Sequence, residues 1–229
     1  MADLELAAST PHPIHPDGFN RNAILPCGLT LDHLHAAMND FVNFIGFINQ
    51  QLHTRQIERL ETMLMPANFS SIVGEFMTST IPKYCPTILK NQYHNGHPDM
   101  IPVGRYAKNA VQHGTEGIEV KGSRYLKRWQ GHNPEDTWLM VFVFDSNRPV
   151  DAGKEIPPRP FHFVMVLGAQ LTKADWSFAG RSGKSRRTIT ATVLPTGYDK
   201  MFANWIYKAP DMTTAETKAV LEEPLSEDE

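Results

Sequence analysis

The run Trp-Leu-Met-Val-Phe-Val-Phe at 138–144 constrains the fold more than any other stretch of this chain. A strand with one wet face alternates apolar and polar side chains. Seven apolar residues in succession leave no face for water, so the run reads as a central strand covered on both sides. Phe-His-Phe-Val-Met-Val-Leu at 161–167 reads similarly. Covering layers are available upstream. Leu34, Met38, Phe41, Val42, Ile45, Ile48 and Leu52 recur at spacings of three and four, an amphipathic helical stripe, with Thr30 or Asp32 placed to cap it. A second helix is predicted over 56–65, ending at Pro66. A third begins near Ser70 or Ser71, carries Ile72, Val73, Phe76 and Met77, and is limited by Pro82.

From residue 88 onward short β-favouring runs replace helical periods, with further strands expected at 116–120 and 188–194. Four prolines make 147–160 a loop. Short helices are expected at 171–176 and 198–205, and the capping-box pair Thr213 and Glu216 predicts another over 216–223. Residues 1–28 read as irregular and 226–229 as frayed. The fold class is therefore α/β. Residues 1–66 form a helical region integrated with the core, 67–210 the core itself, and 211–229 a short helix with an acidic tail. A length of 229 residues and an apolar fraction of 41% suit one large domain or one domain with a modest appendage.

The net charge of −3 hides an uneven distribution. Residues 102–210 carry sixteen Lys or Arg against nine Asp or Glu, whereas the last nineteen residues carry one Lys and seven acids. A basic middle between acidic ends suits a polyanionic partner. Cys27 and Cys85 make neither a disulfide framework nor a thiolate metal site. No run is long and apolar enough to cross a bilayer, and MADLELAASTP lacks the regions of a signal peptide, so no membrane partner is expected and a reducing cytoplasm is the expected compartment.

Chemistry concentrates in 97–124. Asp99 follows Pro98, and twenty residues later come Glu119, Val120 and Lys121. On a strand, side chains at i and i+2 share a face, so Glu119 and Lys121 point together while Val120 points into the core. Asp99 reaches the same place if its segment pairs with that strand. Two carboxylates beside an ammonium group suit a hard divalent cation and an attacking water.

Pro98-Asp99 followed by Glu119-Val120-Lys121, with Gly117 and Gly122 around them, resembles the PD-(D/E)xK nuclease superfamily, also called restriction-endonuclease-like. The match covers roughly 68–145. The resemblance implies a mixed central sheet flanked by helices and an additional acid from the upstream helix, here Glu75 in Ser-Ile-Val-Gly-Glu-Phe-Met. It implies a Mg²⁺-dependent DNA endonuclease, Mn²⁺ substituting, that leaves 5′-phosphate and 3′-hydroxyl ends in the manner of a type II restriction-like enzyme. Asp99, Glu119 and the backbone carbonyl of Val120 would hold the ion, Glu75 would assist, and Lys121 would steer or help deprotonate the water and contact a nonbridging phosphate oxygen. A double-strand cut implies two active sites and hence a homodimer, with the 34–52 helix among the candidate contacts. A noncatalytic DNA-binding protein of the same fold and an RNA nuclease are the alternatives.

Two basic stretches are candidates for contact with duplex DNA. Ser123, Arg124, Lys127, Arg128 and Gln130 leave the catalytic strand, and Arg181, Lys184, Arg186 and Arg187 fall within seven residues. Gly183-Lys184-Ser185 does not make an ATP loop, because position 178 is Phe where the pattern requires Gly. Trp129 reads as a packing residue. His94, His97 and His113 read as surface loop histidines, since no compact His or Cys spacing accompanies them.

Overall fold

The computed structural model describes residues 3–179 and 190–210. After a short α1 (Leu4–Ala8), the long helix α2 (Leu31–Thr54) starts where expected. The Thr30 hydroxyl accepts the His33 N–H and the His33 ring accepts the Thr30 N–H, so two groups that a helix start leaves unpaired satisfy each other. Leu34, Met38, Phe41 and Ile45 are fully buried within the chain. The apolar stripe offered as a dimer contact is thus already covered by the protein's own core.

The next helix is shorter than its sequence suggests. Only α3 (Leu60–Met63) forms within 56–65, because Gln56 adopts a left-handed φ of 57° and Arg59 and Glu61 are drawn into a buried ion pair. α4 (Pro66–Tyr84) conversely begins earlier than Ser70. Pro66 takes the first helical position, where its missing N–H leaves nothing unpaired. The helix runs two residues beyond Pro82, and the Cys85 N–H closes it on the Ile81 carbonyl.

The sheet strands are β1 (Ile88–Lys90), β2 (Met100–Pro102), β3 (Ile118–Ser123), β5 (Thr137–Asp145), β6 (His162–Leu171) and β9 (Trp205–Lys208), in the order β1-β2-β3-β5-β6-β9. Only β3 and β5 pair in parallel. A parallel pair needs a crossover, and here 124–136 supplies it. That segment contributes β4 (Gln130–Gly131) to a second sheet, β4-β8-β7, with β7 (Trp176–Ala179) and β8 (Thr190–Val193). The helix expected at 171–176 is reduced to a single turn, Lys173–Asp175, and Trp176 opens β7. α5 (Pro195–Ala203) replaces the helix expected at 198–205, and Trp205 turns into β9 to pair with β6. The expected helix at 216–223 lies outside the described residues.

β5 bears out the opening reading, being buried on both faces. Met140, Phe142 and Phe144 join α2 and α4 in one apolar cluster. Leu139, Val141 and Val143 join Leu126, Trp129, Trp176, Val193 and Met201 in another. The result is a mixed six-stranded sheet with helices on one side and the small sheet with α5 on the other. Phe41, Phe161 and Phe163 knit the helical side, with Phe161 and Phe163 edge-on at 4.9 Å. Each such ring contributes roughly 1.5–3 kcal/mol by burial alone. Among the described residues no helix is long and apolar enough to cross a membrane.

Two glycines fix the approach to the site. Any side chain at Gly122 would overlap the Ser70 carbonyl and stand 2.8 Å from Val73 Cβ, so α4 lies directly on β3. Gly117 has φ +145°, and a Cβ there would overlap the Met100 carbonyl where β2 meets β3.

Candidate active site

β2 and β3 are antiparallel neighbours, with Met100 opposite Ile118, and this brings Pro98-Asp99 to the strand that carries Glu119 and Lys121. The preceding segment is held by Asn91, a buried side chain whose amide donates to the Pro98 and Val111 carbonyls and whose oxygen accepts the Tyr93 and Val111 N–H groups. The Asn91 N–H also donates to the Asp99 carbonyl at 2.8 Å. Asp99 then turns its carboxylate to β3, where Oδ2 accepts the Val120 N–H at 2.8 Å. Val120 points into the core, as the alternation requires.

Glu119 and Lys121 share the opposite face. Lys121 Nζ donates to Glu119 Oε1 at 2.9 Å. His97 Nδ1 lies 2.9 Å from Glu119 Oε2 and 3.1 Å from Glu135 Oε2. These groups are withdrawn from water: side-chain exposure is 16% for Glu119, 14% for His97 and 24% for Glu135. His97 Nε2 is buried and has no hydrogen-bond partner among the described residues. Asp99, Glu119, Val120 and Lys121 line one cleft of about 350 Å³ with Glu75, Ser70 and Thr78 of α4 and with His132.

Charge crowding sets the protonation order. Burial, then the charge of Glu119, push Asp99 up to about 7, against the pull of the Val120 N–H and Lys121. Burial opposes ionisation of Glu119 too, but Lys121 and His97 outweigh it and hold that carboxyl down to about 2. Of the two carboxyls, Asp99 is the one pushed toward its neutral form. Burial would strip Lys121 of its proton, but Glu119 beside it raises the ammonium above its ordinary value. The balance favours the charged form of Lys121. Burial lowers His97, yet Glu119, Glu135 and Asp99 raise it on balance. Glu135 is itself raised, by burial first.

Glu75 reaches the cleft but is exposed and ion-paired with Lys90 at 2.8 Å. Among the described residues no three His, Cys, Asp or Glu side chains are grouped as a metal-holding set. The donors present still suit one small hard cation, since Mg²⁺ keeps several waters and takes one or two carboxylates. The Val120 carbonyl faces Gly74 of α4, where a Cβ would lie 3.8 Å from that oxygen.

The basic residues divide. Arg124 turns inward, donating to the Ser146 carbonyl at 2.7 Å and the Asn147 carbonyl at 3.2 Å, with its guanidinium over the rings of Phe69 and Phe144. It is a packing residue rather than a phosphate contact, because the crossover after β3 lays it against the core. Ser123 is engaged in a local turn, with its hydroxyl on the Tyr125 carbonyl at 2.9 Å. Lys127, Arg128 and Gln130 are exposed, and Trp129 is buried as expected. Arg181, Lys184, Arg186 and Arg187 lie outside the described residues.

His94 and His113 are exposed loop residues. His97 is not, and its role is missed by the sequence reading. One signal was available: His97 stands two residues before Asp99, the spacing that groups Glu119 with Lys121. Glu135 carries no local signal, since it joins the site only through the parallel pairing of β5 with β3. No family model, curated protein or solved structure matches this chain.

Proposed function

We propose that this protein is a Mg²⁺-dependent nuclease of the PD-(D/E)xK type that hydrolyses phosphodiester bonds in DNA. One observation carries the reading. Asp99 hydrogen-bonds the backbone of the strand that presents Glu119 and Lys121, and all three line one cleft. Sequence order alone would not require that meeting. A mixed α/β sheet with α4 laid on β3 supports the reading at that coarse level.

Asp99, Glu119 and the Val120 carbonyl would hold the cation, which when bound would supply positive charge to offset the negative charge that the attacked phosphate gains. The chain's own residues do the rest. Lys121, kept charged by Glu119, stabilises negative charge on a nonbridging oxygen and orients the water. His97 fixes the second oxygen of Glu119. The withdrawal of Glu119 and His97 from solvent strengthens each of these interactions. Water adds at phosphorus, the bond to the 3′ oxygen breaks, and that oxygen takes a proton, leaving 5′-phosphate and 3′-hydroxyl ends.

The test is cleavage of duplex DNA, single-stranded DNA and RNA with and without Mg²⁺, for the wild type, Asp99→Asn and Glu119→Gln. Cleavage of DNA that needs the ion and both acids is the expected result. Cleavage confined to RNA would make the protein an RNA nuclease. DNA binding with no cleavage under any ion would make it a noncatalytic DNA-binding protein.

A further inference from the structure

We propose that the backbone N–H of Gly122 is a phosphate donor, held at the cleft to bind a nonbridging oxygen of the phosphodiester that is cut. The inference rests on the proposed function in taking a phosphodiester as the occupant of the cleft.

The direction of that N–H follows from its strand. Successive N–H groups along a strand point to opposite edges, so residues two apart share an edge. The Val120 N–H donates to Asp99 Oδ2, on the β2 side of β3 and away from β5. The pairing of β3 with β5 runs without a break from Ile118 to Ser123, so the alternation holds through Gly122. The Gly122 N–H therefore leaves the strand on the Asp99 side. No strand is paired with it there, because β2 meets β3 only where Met100 stands opposite Ile118. An open edge of this kind presents its N–H and C=O groups to whatever comes beside it. Asp99 takes the Val120 N–H, and the Gly122 N–H has no acceptor among the described residues.

Gly122 is half-buried and lines the cleft with Asp99, Glu119 and Lys121. Close packing of α4 accounts for the glycine, since a Cβ would overlap the Ser70 carbonyl, but it does not account for the unpaired N–H. Backbone N–H groups withdrawn from bulk water are nearly always paired, so this one asks for an acceptor from outside. Its neighbours favour a phosphate oxygen. The Val120 carbonyl and the Gly122 N–H are consecutive groups on the same edge, one a cation ligand in the proposed function and the other a donor. Lys121 adds positive charge to the same cleft. Backbone N–H groups are common phosphate contacts, and one fixed in a sheet needs no reorganisation to serve.

Lys121-Gly122 is the only Lys-Gly step in the sequence. The whole chain labelled with ¹³C at lysine carbonyls and ¹⁵N at glycines therefore gives one carbonyl-correlated amide signal, that of Gly122. The signal is followed as a short DNA duplex is added with Ca²⁺ replacing Mg²⁺, while fluorescence anisotropy of the duplex reports binding. The amide proton should move downfield with DNA and not with Ca²⁺ alone. Binding that leaves the signal in place would overturn the inference and spare the nuclease reading, whereas a duplex that does not bind would overturn both. Glycolic acid at position 122 replaces the N–H by an ester oxygen, and should lower kcat with Mg²⁺ about a hundredfold. Its melting temperature should stay near that of wild type, because this N–H takes no part in the sheet. An ester protein as active as wild type would overturn the inference, and if the ester chain does not fold, the amide signal decides.

Discussion

The molecule buries charge in two clusters that are built on different terms. In one, the guanidinium of Arg59, 3% exposed, is matched group for group. Its Nε donates to Glu5, Nη1 to Glu61 and the Arg159 carbonyl, and Nη2 to Asn147, while Asn49 takes up the second oxygen of Glu61. In the other, three acids, Asp99, Glu119 and Glu135, press on Lys121 and His97, one imidazole nitrogen has no partner among the described residues, and the Asp99 carboxyl is pushed up to about 7. The first cluster ties α1, α2, α3 and the proline-rich loop together and asks for nothing more. The second leaves negative charge unbalanced in an open cleft, an arrangement that costs stability and makes sense if a cation completes it.

The largest expected effect tests that contrast directly. Asp99→Asn should lower Mg²⁺-dependent cleavage on the order of a thousandfold, about 4 kcal/mol in the barrier, while raising thermal stability. The sign follows from the raised carboxyl. The folded state binds the Asp99 proton more tightly than the unfolded chain, so ionising Asp99 opposes folding. The gain from Asn should be absent below pH 4, grow as pH rises from about 4 to about 7, and stay level above. Melts of both proteins across that range check it, and a constant difference would mean that the cleft is not strained by charge.

Arg59→Met should act in the opposite direction. Removing one partner from a buried, hydrogen-bonded set costs about 3–5 kcal/mol. The melting temperature should fall by about 10 °C for a chain of this size. Cleavage per folded molecule should not change. A loss of specific activity without a loss of stability would erase the distinction between the two clusters.

Asp175 provides a paired aspartate to set against Asp99. Despite burial, its carboxyl is held down to about 2 by Lys200, whose Nζ donates at 2.6 Å, and by the N–H and hydroxyl of Thr172. A lowered carboxyl stabilises the fold above its unfolded value and loses that contribution as pH falls through the folded one. Asp175→Asn should therefore cost about 2 kcal/mol at pH 7 and progressively less as pH drops from 4 to 2. Urea unfolding at several pH values measures this. Two buried aspartates in one chain would then show opposite pH slopes.

The smallest effect concerns the exposed cations. Lys127→Ala with Arg128→Ala should weaken duplex binding about severalfold and shallow its salt dependence, as loss of phosphate contacts does. Arg124→Ala should instead lower stability. A salt slope that responds to Arg124 and not to the other two would reverse the assignment of this segment.

Much of the frame was legible because it follows from short-range periodicity. The 138–144 run could only be a doubly covered strand, and the stripe from Leu34 to Leu52 could only be a helix with one buried side. Strands of three or four residues, such as β1, β2 and β9, hold too few positions for an alternation to show. The 56–65 segment has helical periodicity, but the buried pairing of Arg59 with Glu61 overrides it.

The site divides along the same line. Local order determined that Glu119 and Lys121 face the same way with Val120 between them, since strand geometry alone dictates it. It also marked Asp99 as the residue to watch. What the tertiary structure decided is which distant groups surround them. The register of β2 against β3 put the Asp99 carboxylate on the Val120 N–H, and the parallel pairing of β5 with β3 brought Glu135 to His97. The crossover after β3 turned Arg124 inward while keeping Lys127 and Arg128 at the exposed surface. These outcomes depend on how layers pack across long separations in sequence. Periodicity carries no record of that, because the side chains that meet there are neighbours only once the sheet has formed.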